Sequence, residues 1–194
     1  YGARKAVPVS HQRFWIVGQQ LRSFGYLNED SIQYMCLPLY YNSGFTVCFS
    51  GMIITGSTMV LKSEFSATRF WSDIRRYQAN YFTGVGEMCR YLYSQEESPD
   101  DADNPLEIII CNGMWEGLIE PFKQRFGVKH IIEIYGTTEN VGSLFNYEEI
   151  PGMCGNLSIL NQRQGEVVRF NFDSSELLRD ENNQLIKCSP GMVG

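Results

Sequence analysis

Tyr135-Gly136-Thr137-Thr138-Glu139 closes a short apolar run that begins at Ile131 and has the spacing of a strand. A glycine directly after a strand lets backbone approach a ligand closely, and a tyrosine beside it offers a flat stacking face. A threonine hydroxyl can donate to a phosphate oxygen, and a glutamate is a hard oxygen ligand for magnesium. Together these are the parts of a nucleotide-phosphate site. Taken singly, each is equally at home in a solvent-exposed polar turn. Lys5 stands shortly after Gly2, at the head of an apolar run, where an ammonium can reach terminal phosphates as a phosphate-loop lysine does. As a lone signal it is poor, because a lysine near a glycine usually marks a solvated loop.

Such residues need a scaffold that brings strand ends together. Ser10 is placed to cap a helix whose apolar positions Phe14, Val17, Leu21 and Phe24 recur at helical spacing, with Gly25 at its end. The pattern then predicts a strand from Ser31 closed by Pro38, an apolar helical segment from Ser43 to Thr55 stopped by Gly56, and a strand in "STMVLK". A second amphipathic helix starts at Ser66 and carries Phe70, Trp71, Ile74 and Tyr77. After it come a strand from Tyr81 to Val85 and a short helix from Met88 to Tyr93, and next to Gly86 the residues Glu87 and Arg90 lie one helical turn apart as a local pair. The acidic stretch "EESPDDADNP" from Glu96 reads as a solvated surface loop. A strand from Leu106 to Cys111, a helix from Trp115 to Phe126 and a strand from Val128 to Ile134 complete the alternation.

Strands alternating with helices argue for βαβ units and a mostly parallel sheet with helices on both faces. In such sheets ligands bind outside the carboxyl ends of the strands. "CNGM", from Cys111 to Met114, and "YGTTE" both sit at such ends. After Pro151 the pattern changes to short β-like runs separated by turn residues. This divides the chain into an α/β part over 1–150 and a hairpin-rich appendage over 151–194.

Composition narrows the classes. Of the 194 residues, 43% are hydrophobic and 20% charged, which suits a packed core and is too apolar for disorder. A net charge of -6 without a basic stripe argues against nucleic acid as partner. The six cysteines are scattered without a Cys-x-x-Cys pair, and only two histidines are present, which reads as reduced thiols rather than a disulfide scaffold or a metal centre. The longest apolar stretch, "FTVCFSGMII", is half of the roughly 20 residues a membrane span needs. The chain starts at Tyr1 and stops at Gly194 in what reads as mid-motif, the expectation for an internal fragment.

"YGTTE" resembles the Tyr-Gly-x-Thr-Glu motif of the adenylate-forming enzymes, the superfamily of acyl-CoA synthetases, luciferases and peptide-synthetase adenylation domains. "GARK" resembles the end of their phosphate loop, Gly-x-Pro-Lys. More narrowly, "CLPLYYNSG", "KSEFSATRFWSDIRRYQANYFTGVGEMCRYL", "CNGM", "EIYGTTENVGSLFN" and "CSPGMVG" resemble the fatty acid transport proteins, also called very-long-chain acyl-CoA synthetases. The resemblance covers essentially the whole chain.

The resemblance implies part of the large N-terminal domain of an adenylate-forming enzyme. It implies ATP, Mg2+ and coenzyme A as cofactors and a long- or very-long-chain fatty acid as substrate. Lys5 would bind ATP phosphates, Thr138 the α-phosphate and Glu139 the magnesium. Tyr135 would stack on adenine, with Asn112, Gly113, Met114, Gly136 and Thr137 lining the adenylate pocket. Tyr40, Tyr41, Gly84, Val85 and Gly86 are candidates for the acyl tunnel, and equally for core packing. For the full-length protein the family implies membrane association at the cytosolic face of the endoplasmic reticulum or plasma membrane, with a homo-oligomer possible. Tyr41 departs from the family's histidine, Arg4 from its proline and Met192 from its glutamate. The phosphate loop's bulk, the ribose-binding Asp and the small C-terminal domain lie outside these residues, so the isolated chain is expected to lack ligase activity. A non-catalytic fatty-acid-binding or uptake component, and a ligase for bile acids or other bulky carboxylates, stay open.

Overall fold

The computed structural model describes residues 6–139, 143–155, 166–189 and 191–192. The chain divides into two compact units, Tyr1–Asn156 and Leu157–Gly194.

The first unit is built on a six-stranded sheet in the order β2-β1-β3-β4-β5-β6. Its strands are β1 (Ile32–Met35), β2 (Thr58–Leu61), β3 (Tyr81–Val85), β4 (Ile108–Asn112), β5 (His130–Gly136) and β6 (Ser143–Phe145). The first five run parallel, and β6 returns antiparallel along β5. β1, β3, β4 and β5 are buried along most of their length, as a parallel sheet covered on both faces requires. The alternating faces of β3, β4 and β5 feed two separate cores, while Met35 of β1 packs with Leu37 and Cys48 in a third cluster. On one face Tyr34, Phe82, Ile109, Cys111 and Ile131 meet Phe70 and Ile74 of α3 (Ala67–Tyr77), Cys89 and Leu92 of α4 (Gly86–Tyr93), and Phe122 and Phe126 of α5 (Glu116–Phe126). On the other face Tyr81, Ile110, Ile132, Ile134 and Phe145 meet Val17 and Leu21 of α1 (His11–Ser23) together with Val47. Fully burying one such side chain is worth about 1.5–3 kcal/mol. Asp73, the carboxylate inside this packing, accepts hydrogen bonds from the Tyr34 hydroxyl at 2.9 Å and from Lys62 Nζ at 3.0 Å.

Local sequence sets the element ends. The Ser10 side chain accepts from the Arg13 backbone N–H and starts α1. The apolar segment after β1 is helical, but its first half, Ser43–Phe49, is a wide π-type turn that runs into α2 (Ser50–Thr55). Hydroxyls loosen it: Thr46 bonds back to the Asn42 carbonyl at 2.8 Å and Ser50 to the Thr46 carbonyl at 2.6 Å. Gly56 ends α2 in the left-handed conformation, φ 77°. α4 begins at Gly86, two residues before the position its apolar spacing predicts. β5 runs on to Gly136 because β6, which has no sequence signal of its own, supplies partners for Ile134, Tyr135 and Gly136.

The register decides what the sheet can present. Val85 pairs with Asn112, and Asn112 with Ile134, so the carboxyl ends of β3 and β4 are level and β5 runs two residues past them to Gly136. The chain moves outward from β1 to β2 and then back to β3 on β1's other side, so the order reverses at β1. In the second unit β7 (Phe170–Asn171) pairs antiparallel with β8 (Glu176–Leu177), and isolated bridges join Val168 to Lys187 and Arg179 to Leu185.

Candidate functional site

A pocket of about 210 Å³ opens at the carboxyl ends of β4 and β5, bordered by Tyr41, Ser43, Asn112, Gly136, Thr138 and Glu139. Val47 and Ile134 give it apolar wall, and Asn42, Thr137 and Ser143 complete it. Three segments far apart in sequence therefore meet: the turn after β1, the end of β4 and the turn after β5.

Asn112 ties them. Its side-chain amide donates to the Ile134 carbonyl at 3.1 Å, and its side-chain oxygen accepts from the Ser43 hydroxyl at 2.8 Å. Gly136 is where β6 crosses: a Cβ there would lie 2.7 Å from Ser143 Oγ. Beyond Gly136 the chain turns through Thr137 and Thr138 to Glu139, whose side chain is exposed. The Arg13 guanidinium, from α1, donates to the carbonyls of Thr138 at 2.6 Å and Thr137 at 3.2 Å.

The loop after β4 is held from the other sheet face. Glu133, 9% exposed, accepts backbone N–H bonds from Met114 at 2.8 Å and Gly113 at 3.2 Å, with Gly113 in the left-handed region at φ 71°. Burial pushes the Glu133 carboxyl above the usual range, and the two N–H donors oppose this. Tyr135 lies on the same face two residues on, 53% exposed. A cavity of about 450 Å³ continues along this face between Glu133, Trp115, Ile119, Ile150 and Met153.

Of the residues singled out by sequence, the structure gathers Tyr41, Asn112, Gly136, Thr137, Thr138 and Glu139 around one pocket. Gly113 and Met114 follow in the loop after β4 and Tyr135 precedes Gly136 on β5, and none of the three borders the pocket. Tyr40 is 92% exposed outside it. Gly84 and Gly86 are buried and Val85 partly so, and none of the three borders the pocket. Lys5 lies outside the described residues. Met192 is 48% exposed in the second unit. Among the described residues no group of three or more His, Cys, Asp and Glu could hold a metal, and no helix is long and apolar enough to cross a membrane.

Sequence reading missed Arg13, Ser43, Glu133 and Ser143. Only Glu133 carried a signal, as a carboxylate inside an otherwise apolar strand.

Residues 2–168 match the AMP-binding enzyme family. The chain belongs to that family. Its curated relatives include long-chain fatty acid transport protein 2 of Rattus norvegicus, 32% identical over 195 residues, and long-chain fatty acid transport protein 1 of Homo sapiens, 35% identical over 199 residues. Both alignments cover 100% of this chain but only 31% and 30% of those proteins, so the chain spans about a third of their length. Among solved structures, ATP-bound MatB from Rhodopseudomonas palustris superimposes with a TM-score of 0.71 over 94% of this chain and 34% of its own, at 17% identity. The O-succinylbenzoate coenzyme A synthetase MenE from Bacillus subtilis, in complex with AMP, gives a TM-score of 0.66 over 99% of this chain and 37% of its own, at 21% identity. The fold is thus that of an adenylate-forming enzyme domain.

Proposed function

We propose that this AMP-binding chain is the nucleotide-gripping part of a long- or very-long-chain fatty acid-CoA ligase. The observation that carries the reading is the pocket that joins Thr138 and Glu139 to Asn112 and the Tyr41 turn at the strand ends. That is where an open α/β sheet binds ligands.

In the proposed reaction a fatty carboxylate attacks the α-phosphorus of ATP, giving acyl-adenylate and pyrophosphate. The thiol of coenzyme A then attacks the acyl carbon, and AMP leaves. Thr138 donates to the α-phosphate. Tyr135 is proposed to stack on adenine, beside the Gly113–Met114 backbone that Glu133 holds in place. Asn112 keeps the β4 and β5 ends in register across the pocket. Lys5 belongs with the phosphates.

A lone exposed carboxylate suits magnesium, which keeps most of its ligands as water and substrate phosphate, so Glu139 fits as its protein ligand. When bound, that ion neutralises charge developing on the phosphate oxygens. The acyl chain is proposed to leave past Tyr41, whereas Gly84 and Gly86 are filled against the Phe82 ring and the Gly113 backbone and leave it no path. The fatty acid assignment rests on the names of the relatives. Thioester formation would trap fatty acid and so drive net uptake. Membrane association and any homo-oligomer belong, in this proposal, to a longer polypeptide.

The test is pyrophosphate release by a polypeptide completed to the relatives' length. The reading expects release that requires a long-chain fatty acid and magnesium and collapses in Glu139→Ala. Fatty acid binding without any ATP dependence would instead establish a carrier.

A further inference from the structure

Arg13 sits in the first turn of α1, with its backbone N–H donating to the Ser10 side chain at 3.1 Å. The positive end of the helix dipole and the reciprocal capping arrangement both favour a carboxylate at this position, so a guanidinium opposes its local setting. A residue that breaks a local rule is held by something non-local. Here that is the turn after β5, where Nη1 donates to the Thr138 carbonyl at 2.6 Å and Nη2 to the Thr137 carbonyl at 3.2 Å, 125 and 124 residues along the chain.

One planar guanidinium capturing two consecutive carbonyls fixes the peptide planes before and after Thr138. Those planes set the direction in which the Thr138 and Glu139 side chains leave the backbone. Lysine, a point charge with no rigid fork, could hold one carbonyl but not both in this geometry. Both Thr138 and Glu139 border the pocket.

We propose that Arg13 is a positioning residue that, by holding the Thr137 and Thr138 carbonyls, sets Thr138 and Glu139 to receive the nucleotide phosphates and their magnesium. This rests on the nucleotide reading above. Arg13 acts through the turn, with one N–H of each terminal nitrogen committed to backbone carbonyls.

Wild type, Arg13→Gln, Arg13→Lys and Glu139→Ala are compared in the completed polypeptide. Fatty-acid-dependent pyrophosphate release is followed while magnesium is titrated at saturating ATP, and thermal unfolding is recorded in parallel. Arg13→Gln is expected to lower kcat by about 10–100-fold, the scale of a lost charge-assisted contact, and to raise the magnesium concentration at half-maximal rate. The KM for fatty acid stays unchanged, and Arg13→Lys recovers part of kcat. A merely structural Arg13 would lower the unfolding temperature and leave kcat and the magnesium dependence at wild-type values, which overturns the inference. Should Arg13→Gln not fold, Arg13→Lys decides by the same two readouts. An unaffected Glu139→Ala would sink the nucleotide reading itself, whereas a dead Glu139→Ala beside a wild-type-like Arg13→Gln would sink only the role of Arg13.

Discussion

Gly86 and Gly113 meet backbone against backbone: a Cβ on Gly86 would stand 2.1 Å from the Gly113 carbonyl oxygen and 2.7 Å from Met114 Cα. The start of α4 is thereby wedged under the loop whose N–H groups Glu133 holds. Gly86→Ala should force that loop to move, at a cost of about 1–3 kcal/mol from overpacking. Thermal unfolding would show the lost stability. Nucleotide titration should show weaker binding than stability alone explains, because Gly113 and Met114 are displaced.

Glu149 contributes a pH dependence to stability. Its carboxylate accepts from Lys123 Nζ at 2.6 Å and from the Ile131 N–H at 3.1 Å, and shares a 2.6 Å bond with His130 Nδ1. Burial pushes the carboxyl up, but these donors more than offset it and hold it below the usual range. A depressed carboxylate stabilises the fold above the unfolded-state pKa of about 4.3, and that stability is lost as pH falls through the folded value. Glu149→Gln should therefore cost about 1–2 kcal/mol at pH 7, discounted for partial exposure, with the gap to wild type closing below pH 4. Urea unfolding at several pH values measures it, and a gap that does not change with pH would refute it.

Much of this arrangement was legible in sequence because local and global signals agree there. The alternation of apolar runs predicts β1 to β5 and their helices, and "CNGM" and "YGTTE" fall at the carboxyl ends of neighbouring strands. The rest depends on contacts that no local pattern encodes. β6 is three residues whose partner on β5 decides their state. The Ser43–Asn112 and Arg13–Thr138 bonds span 69 and 125 residues, so neither end announces the other. The glycines at Gly84 and Gly86 suggest a tunnel wall in sequence, yet Gly86 is small because another backbone occupies the space.

Asn112 and Ser43 should be energetically coupled. Asn112→Ala leaves the Ile134 carbonyl and the Ser43 hydroxyl without their partner and is expected to cost about 1–3 kcal/mol; Ser43→Ala should cost about 1 kcal/mol. In a double-mutant cycle the two should be non-additive by at least about 0.5 kcal/mol. Strict additivity would mean that the bond contributes nothing.

The cysteines should separate by burial. Cys36, Cys48, Cys89 and Cys111 are buried, with burial pushing the Cys36 and Cys48 thiols up to about 12. Cys154 is exposed and Cys188 partly so. A thiol-reactive probe at pH 8 should label Cys154 first and reach the four buried thiols only on unfolding, as read by peptide mass mapping. Rapid labelling of Cys89 or Cys111 in the folded protein would contradict the packing of α4 on β4.

The central claim is that the turn after β5 grips nucleotide phosphate and magnesium through Thr138 and Glu139. Calorimetric titration of ATP into the completed polypeptide, with and without magnesium, in wild type and Glu139→Ala, tests it most directly. Saturable binding that needs magnesium and weakens by about 100-fold or more in the variant is the predicted result. Binding that is absent in wild type, or indifferent to both magnesium and Glu139, would contradict it.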